Sequence, residues 1–428
     1  MASVQELINS GLVDSLKYQY RNIPYNIPDK YFILIADYID SISQLDSNQG
    51  LFLDPIEVAK TLPSVLTSIQ EANLDGIHGR TDADRIVMNS NMDYEMNKLY
   101  FFHELTHALQ TRWVDGHEEC SFYDGKTGMF LTEGATQYTA EILYHVSNGT
   151  NIRYRMQNGV VRGHPEHTPY SPLSEYQING NILMLLSSSL GLPLNQVLAL
   201  GYRRDGRGQI KELYESFPGN EGKFEEFMLD LEKIYSVDKL IMAGYGSRLQ
   251  GGPLNIQMQD GTIFVGNIQM QGELINKVER ELAANFIANN DIDYILKNYQ
   301  KISNYLTTSQ LQTEFLNSIN SLARETIADF IGNHDENYIM EHYQEILDIL
   351  PTSQMKQEFM NAVNEVSSMK EEQPQVQEST EELQDYERRK QEYEIISSSN
   401  RLMAQINGQV EIESNLEETK AGKHFRWI

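Results

Sequence analysis

Residues 101–112 read FFHELTHALQTR, in which His103, Glu104 and His107 spell H-E-x-x-H. On a helix, residues four apart lie one above the other on the same face. His103 and His107 can therefore present two imidazoles to one ion, with Glu104 beside them. The surrounding residues predict a helix from about Tyr94 to about Val114. Leu99, Phe102, Leu109 and Trp113 form its buried stripe, and Leu105 and Ala108 widen it. A helix that is apolar apart from a histidine–glutamate cluster buries polar groups at a cost unless they bind something. The same five letters also arise by chance in ordinary amphipathic helices, so the pattern gains meaning only from the other parts of a metal site.

A catalytic zinc ion takes three protein ligands and keeps a fourth position for water. Twenty-six residues after His107 (107 to 133), the stretch LTEGATQYTAEIL (131–143) offers Glu133. In helical register Glu133, Gln137 and Glu141 share a face. Glu133 is the expected ligand, Glu141 the competing one, and Gln137 is placed to accept a hydrogen bond from a ligand histidine. Thr132 reads as the cap of this helix. Gly134 allows another backbone to approach closely. Zinc suits the set because it accepts neutral imidazole and lowers the pKa of a water it holds to around 7. Glu104 is then positioned to take that water's proton and pass it to a leaving amine.

HELTH followed by TEGATQY resembles the gluzincin group of zinc peptidases, which includes thermolysin-like enzymes and an aminopeptidase branch. The resemblance covers about residues 80–190. It implies His103, His107 and Glu133 as zinc ligands and Glu104 as the catalytic base. It also implies an edge strand that pairs with extended substrate, at the position of DRIVMN (84–89). In the aminopeptidase branch a tyrosine just before an apolar helix donates to the oxyanion. SEYQINGNILMLLSSSLG (174–191) is similar to that pattern and points to Tyr176, with His164, His167, Tyr170 and Tyr138 as alternatives. The chain departs from the group at two places. Gln137 stands where thermolysin-like enzymes carry an aspartate, and residues 74–93 contain no Gly-rich exopeptidase motif.

Composition narrows the remaining classes. The chain has 428 residues, 40% of them hydrophobic and 22% charged, which suits a globular protein of two or three domains. A lone cysteine, Cys120, excludes disulfide frameworks and cysteine-rich zinc sites. A net charge of −27 argues against non-specific nucleic-acid binding, which depends on Lys and Arg. No apolar run reaches the length of a membrane span. The N-terminal MASVQELINSGLVDSLKYQYR has no signal-peptide pattern, so the expected home is cytoplasmic, with signal-less export left open.

Beyond the motif, residues 1–50 read as a helical N-terminal segment and 51–250 as the zincin-like metallopeptidase domain. In the latter, DPIEVAKTLPSVLTSIQEAN reads as one amphipathic segment and DGIHGRTDADR as a loop. Residues 251–272, LNIQMQDGTIFVGNIQMQ at their centre, predict a β-hairpin connector turning at Asp260–Gly261. Residues 273–367 hold a repeat: the stretch from 287 to 315 recurs from 331 to 359, a period of 44 residues (287 to 331). Residues 368–428 form an acidic, Gln-rich tail, read as solvent-exposed or disordered.

The expected fold is thus α+β and mostly helical: a zincin-like core with a short edge sheet, then a hairpin and helical repeats. The expected function is zinc-dependent hydrolysis of peptide bonds, acting on a peptide or protein substrate. The repeats offer a surface for a protein partner. The alternative is a non-catalytic peptide- or protein-binding scaffold on the same fold, and a weaker third reading is a secreted effector that uses the peptidase as a toxin.

Overall fold

A computed structural model describes residues 11–45, 53–74, 77–114, 117–149, 154–157, 160–163, 177–258 and 260–368. Helices α1 (Leu12–Gln19), α2 (Asp29–Gln44) and α3 (Pro55–Val65) precede strands β1 (Ser68–Ala72), β2 (Gly79–Asp82) and β3 (Arg85–Asn89). Helix α4 (Tyr94–Gln110), the pair β4 (Thr111–Val114) and β5 (His117–Cys120), and α5 (Met129–Ser147) come next. Strands β6 (Tyr154–Gln157) and β7 (Val160–Gly163) lead to α6 (Gln177–Ser189), α7 (Leu194–Leu200), α8 (Gly206–Glu215) and α9 (Phe224–Leu240). A kink at Ile241–Tyr245, where Gly244 takes a φ of 85°, joins α9 to α10 (Gly246–Gly251), followed by the hairpin β8 (Leu254–Gln257) and β9 (Ile263–Gly266). The chain then continues through α11 (Ile268–Asn289), α12 (Ile292–Tyr305), α13 (Ser309–Asn333), α14 (Glu336–Ile349) and α15 (Ser353–Ser368). The architecture is α+β and mostly helical, as the sequence implies.

The sheet beside α4 differs from expectation. Its order is β1-β3-β2, with β1 parallel and β2 antiparallel to β3. The DRIVMN strand is therefore the centre of the sheet, and the edge next to α4 is β2, within the stretch read as a loop. Two residues, Ala83 and Asp84, turn the chain between the paired Asp82 and Arg85. Ala83 adopts a φ of 51°, a costly conformation for a non-glycine residue and one that composition does not signal. The stretch read as one amphipathic segment divides into α3, with Pro63 near its close, and strand β1.

Helix α4 starts where the Asp93 side chain accepts a hydrogen bond from the Met96 amide at 2.9 Å. It ends at Gln110, four residues before the expected Val114. Thr111 turns extended, and Thr111–Val114 pairs with His117–Cys120. Trp113 thus lies on a strand outside the helix, while Leu99 and Phe102 are buried as the stripe requires. The Asp115–Gly116 dipeptide between the strands is a hairpin signal that the helical pattern overrode.

Helix α5 also begins earlier than read, at Met129 rather than Thr132. Gly128 precedes it at a φ of 112°, where an added Cβ would lie 2.2 Å from the Phe122 carbonyl oxygen. The Glu232 carboxylate on α9 accepts from the Gly128 and Met129 amides at 3.0 and 3.1 Å. This distant residue does the capping, and the Thr132 hydroxyl instead donates to the Cys120 carbonyl at 3.0 Å.

Buried apolar residues from Val13 to Val363 form one contiguous cluster. The N-terminal helices share it with α4 and α5. Lys98 on α4 pairs with Asp37 on α2 at 2.6 Å, and the Ser147 hydroxyl on α5 donates to Asp37 at 2.7 Å. A smaller cluster of Val237, Leu249 and Ile256 underlies the β8–β9 hairpin. That hairpin is shorter than its expected span, because the second NIQMQ opens α11, capped by Asn267. Among the described residues no single helix is long and apolar enough to cross a membrane.

Candidate metal centre

Helix α4 supplies His103 and His107, and α5 packs against it so that Glu133 faces both rings. The two Nε2 atoms lie 3.1 Å apart, and each is 3.4 Å from Glu133 Oε2. Tetrahedral coordination at the zinc bond lengths of roughly 2.0–2.1 Å places neighbouring ligand atoms about 3.3–3.4 Å apart. The triangle of donors matches that spacing. Glu133 Oε2 is buried, and its polar neighbours are the two imidazole nitrogens at 3.4 Å, with no shorter hydrogen bond to it. A buried oxygen normally has one, so this atom is oriented for a cation. The cluster can hold a metal ion.

Gly134 lets α6 come close to the turn of α5 that carries Glu133. At Gly134 an added Cβ would lie 3.2 Å from the Asn179 Cβ and 3.3 Å from its carbonyl oxygen, so α6 packs directly against this turn. The Asn179 amide donates to the Phe130 carbonyl at 2.8 Å and ties α6 to the start of α5.

Each candidate ligand is held from behind. His103 Nδ1 lies 2.8 Å from Gln137 Oε1, and Gln137 Nε2 donates to Glu141 Oε1 at 2.8 Å. His107 Nδ1 lies 3.4 Å from the Thr136 hydroxyl and 3.7 Å from Cys120 Sγ. The Tyr235 hydroxyl, on α9, donates to Glu133 Oε1 at 3.2 Å. That bond leaves Oε2 directed at the imidazoles. Glu141, the competing ligand, sits one turn beyond Gln137, outside the triad.

Glu104 is buried next to His103, and its carboxylate meets strand β2. The Thr81 hydroxyl reaches both Glu104 Oε2, at 2.8 Å, and the Glu104 carbonyl, at 2.9 Å. At Gly79 an added Cβ would come 2.8 Å from Glu104 Cγ, so only glycine lets the strand lie this close. Burial pushes the Glu104 carboxyl up, against the opposing pull of His103 and His107. Burial also disfavours charge on His107 and Glu133. Their mutual attraction overrides it, holding His107 well above and Glu133 well below their ordinary ranges. A metal ion and a proton therefore compete for the same donors.

Sequence reasoning placed His103, Glu104, His107, Glu133 and Gln137, and the structure brings all five together. It did not anticipate Thr81, Tyr235, Thr136 or Cys120 as their neighbours. Thr81 lay in an expected loop, and Tyr235 is about a hundred residues away on a helix whose pattern carries no chemical signal. Tyr138 faces α6, where an added Cβ on Gly180 would meet its ring at 2.9 Å. Tyr176, His164, His167 and Tyr170 lie outside the described residues.

No protein-family model, curated protein or solved structure matches the chain.

Proposed function

We propose that the protein is a zinc-dependent metallopeptidase of the gluzincin type, built on a zincin-like core. The observation that carries this reading is the donor triangle of His103, His107 and Glu133, with its buried carboxylate oxygen and Glu104 alongside. His103 and His107 would hold the ion through Nε2, and Glu133 through Oε2. Zinc, when bound, supplies a Lewis acid that lowers the pKa of water and polarises a carbonyl.

The chain's own residues supply the rest. Glu104 takes a proton from the attacking water and delivers it to the departing amine. Its burial strengthens it as a base, and the Thr81 hydroxyl holds one carboxylate oxygen so that the group cannot rotate away. Tyr235 orients Glu133 through the oxygen that does not face the imidazoles. Tyr176 is retained as the oxyanion donor on the strength of the family resemblance. Strand β2 is the sheet edge at the site and takes over the substrate-pairing role first assigned to DRIVMN. The repeats α12–α15 would present a polypeptide substrate or a protein partner.

The test is zinc content by mass spectrometry together with cleavage of an unfolded protein, for the native chain and for Glu104→Gln. Both should carry one zinc per chain, and the variant should lose roughly 10²–10⁴-fold in cleavage rate. A native chain without metal, or a variant that cleaves as fast, would overturn the peptidase in favour of the non-catalytic scaffold.

A further inference from the structure

The departure at Gln137 raises a chemical question. An aspartate behind a ligand histidine accepts from Nδ1–H and brings negative charge to the ring. An amide oxygen also accepts, more weakly because it brings no charge, and the amide can turn over, exchanging its oxygen for an NH2 group. When Nε2 holds the ion, His103 carries its proton on Nδ1, and a reversed amide would set donor against donor. Something must hold Gln137 the right way round.

We propose that Glu141 is a positioning residue of the metal centre, acting through the Gln137 amide to fix the ring and tautomer of His103. The proposal rests on the metal-binding reading above. Glu133, Gln137 and Glu141 stand on successive turns of α5, so one helix face carries a ligand, an amide and a carboxyl in line. His103 Nδ1 lies 2.8 Å from Gln137 Oε1, and Gln137 Nε2 lies 2.8 Å from Glu141 Oε1. Gln137 and Glu141 are 1% and 6% exposed, so water does not compete for these bonds.

The chain of bonds has two self-consistent directions. In one, Nδ1–H donates to the amide oxygen, the amide N–H donates to Glu141, and Nε2 keeps a lone pair for the ion. In the other, a protonated Glu141 donates to the amide oxygen, the amide donates to Nδ1, and the proton on Nε2 removes a ligand. Burial pushes Glu141 up to about 8, and its neutral form still accepts through the carbonyl oxygen. The first direction is the one that binds metal. The aspartate's role is thereby divided between two side chains one turn apart, with the carboxyl moved off the imidazole.

Zinc affinity, measured by competition with a chromophoric chelator, tests this without relying on catalysis. Glu141→Met, which fills the space but cannot accept from the amide, should bind zinc roughly 10-fold or more weakly. Glu141→Gln, which still offers an oxygen, should stay within about 3-fold of the native chain. In a Gln137→Leu background, Glu141→Met should change affinity by less than about 2-fold, because the connection is already cut. Equal losses in both backgrounds, or native affinity in Glu141→Met, would overturn the proposal while leaving the metal site standing. A native chain that binds no zinc would overturn the metal-binding reading itself. If Glu141→Met does not fold, imidazole nitrogen shifts of the zinc-loaded native protein decide. Protonated Nδ1 on His103 with an exchange-protected proton supports the relay, and an unprotonated or freely exchanging Nδ1 rejects it.

Discussion

The helix pair α4–α5 and the repeat helices α12–α15 bury opposite kinds of surface. Where α4 and α5 face each other, His103, Gln110, Glu133, Thr136 and Gln137 are buried. In the repeats the buried positions are mostly apolar, among them Ile295, Leu296, Ile302, Phe315, Ile319 and Phe330, with Ser303 the polar exception among the described residues. Burying polar groups costs stability unless they are satisfied, so the first pair gives up stability for a cluster that can hold a metal ion. The repeats make the simpler trade of apolar area for order.

The repeats also show how closely their geometry follows the 44-residue period. Asp291 caps α12 through the Tyr294 amide at 2.8 Å, and Asp335 caps α14 through the Tyr338 amide at 3.0 Å. Phe286 lies 6.2 Å from Phe315, and Phe330 lies 5.9 Å from Phe359. The two styles of burial meet at Glu279 on α11, a buried carboxylate that accepts from the Thr307 amide and hydroxyl, both at 2.9 Å.

Four substitutions probe the contrast, the strongest first. Phe330→Ala removes a ring packed between Phe359 and Tyr338, and should cost about 3–5 kcal/mol in denaturant unfolding. Zinc binding should be unchanged. A loss of metal affinity would show that the repeats and the site are one energetic unit.

Glu279→Gln comes next. Burial pushes the Glu279 carboxyl up to about 7 from an ordinary 4.5. The folded state therefore holds the proton more tightly, and its stabilising contribution is lost as pH rises from 4.5 through 7. The glutamine variant escapes that loss. Its stability relative to the native chain should rise by ~2–3 kcal/mol between pH 5 and 8. A pH-independent difference would place the ionised carboxylate at no penalty.

The smallest effect is expected from Asp335→Ala, about 1 kcal/mol from the lost cap, read by helical circular dichroism during unfolding. Asp291→Ala should match it if the period extends to energetics.

How far each region could be read from sequence follows the same division. The repeat was legible because both copies use the same caps, turns and aromatic contacts at a constant offset. In α4 the ligand face was legible, since helical period alone places His103 over His107. Its end was not, because the pull of Thr111, Trp113 and Val114 into a hairpin depends on pairing with His117–Cys120. The sheet order misled for a similar reason. DRIVMN has the texture of a strand, but which neighbours flank it depends on the turn at Ala83, where no glycine or asparagine marks the positive φ.

By itself the sequence determined a mostly helical α+β chain, the pairing of two imidazoles on one helix face, and the 44-residue helical repeat. Each follows from bonds and spacings within a few turns of chain. Only the tertiary structure decided that Glu133 Oε2 completes a triangle with those imidazoles, that Thr81 grips Glu104, and that Tyr235 orients Glu133. It also decided that Glu232, rather than Thr132, caps α5. These contacts join residues from 23 to about a hundred positions apart. Such pairs meet only after the helices pack, and packing is chosen by the whole core rather than by any stretch within it.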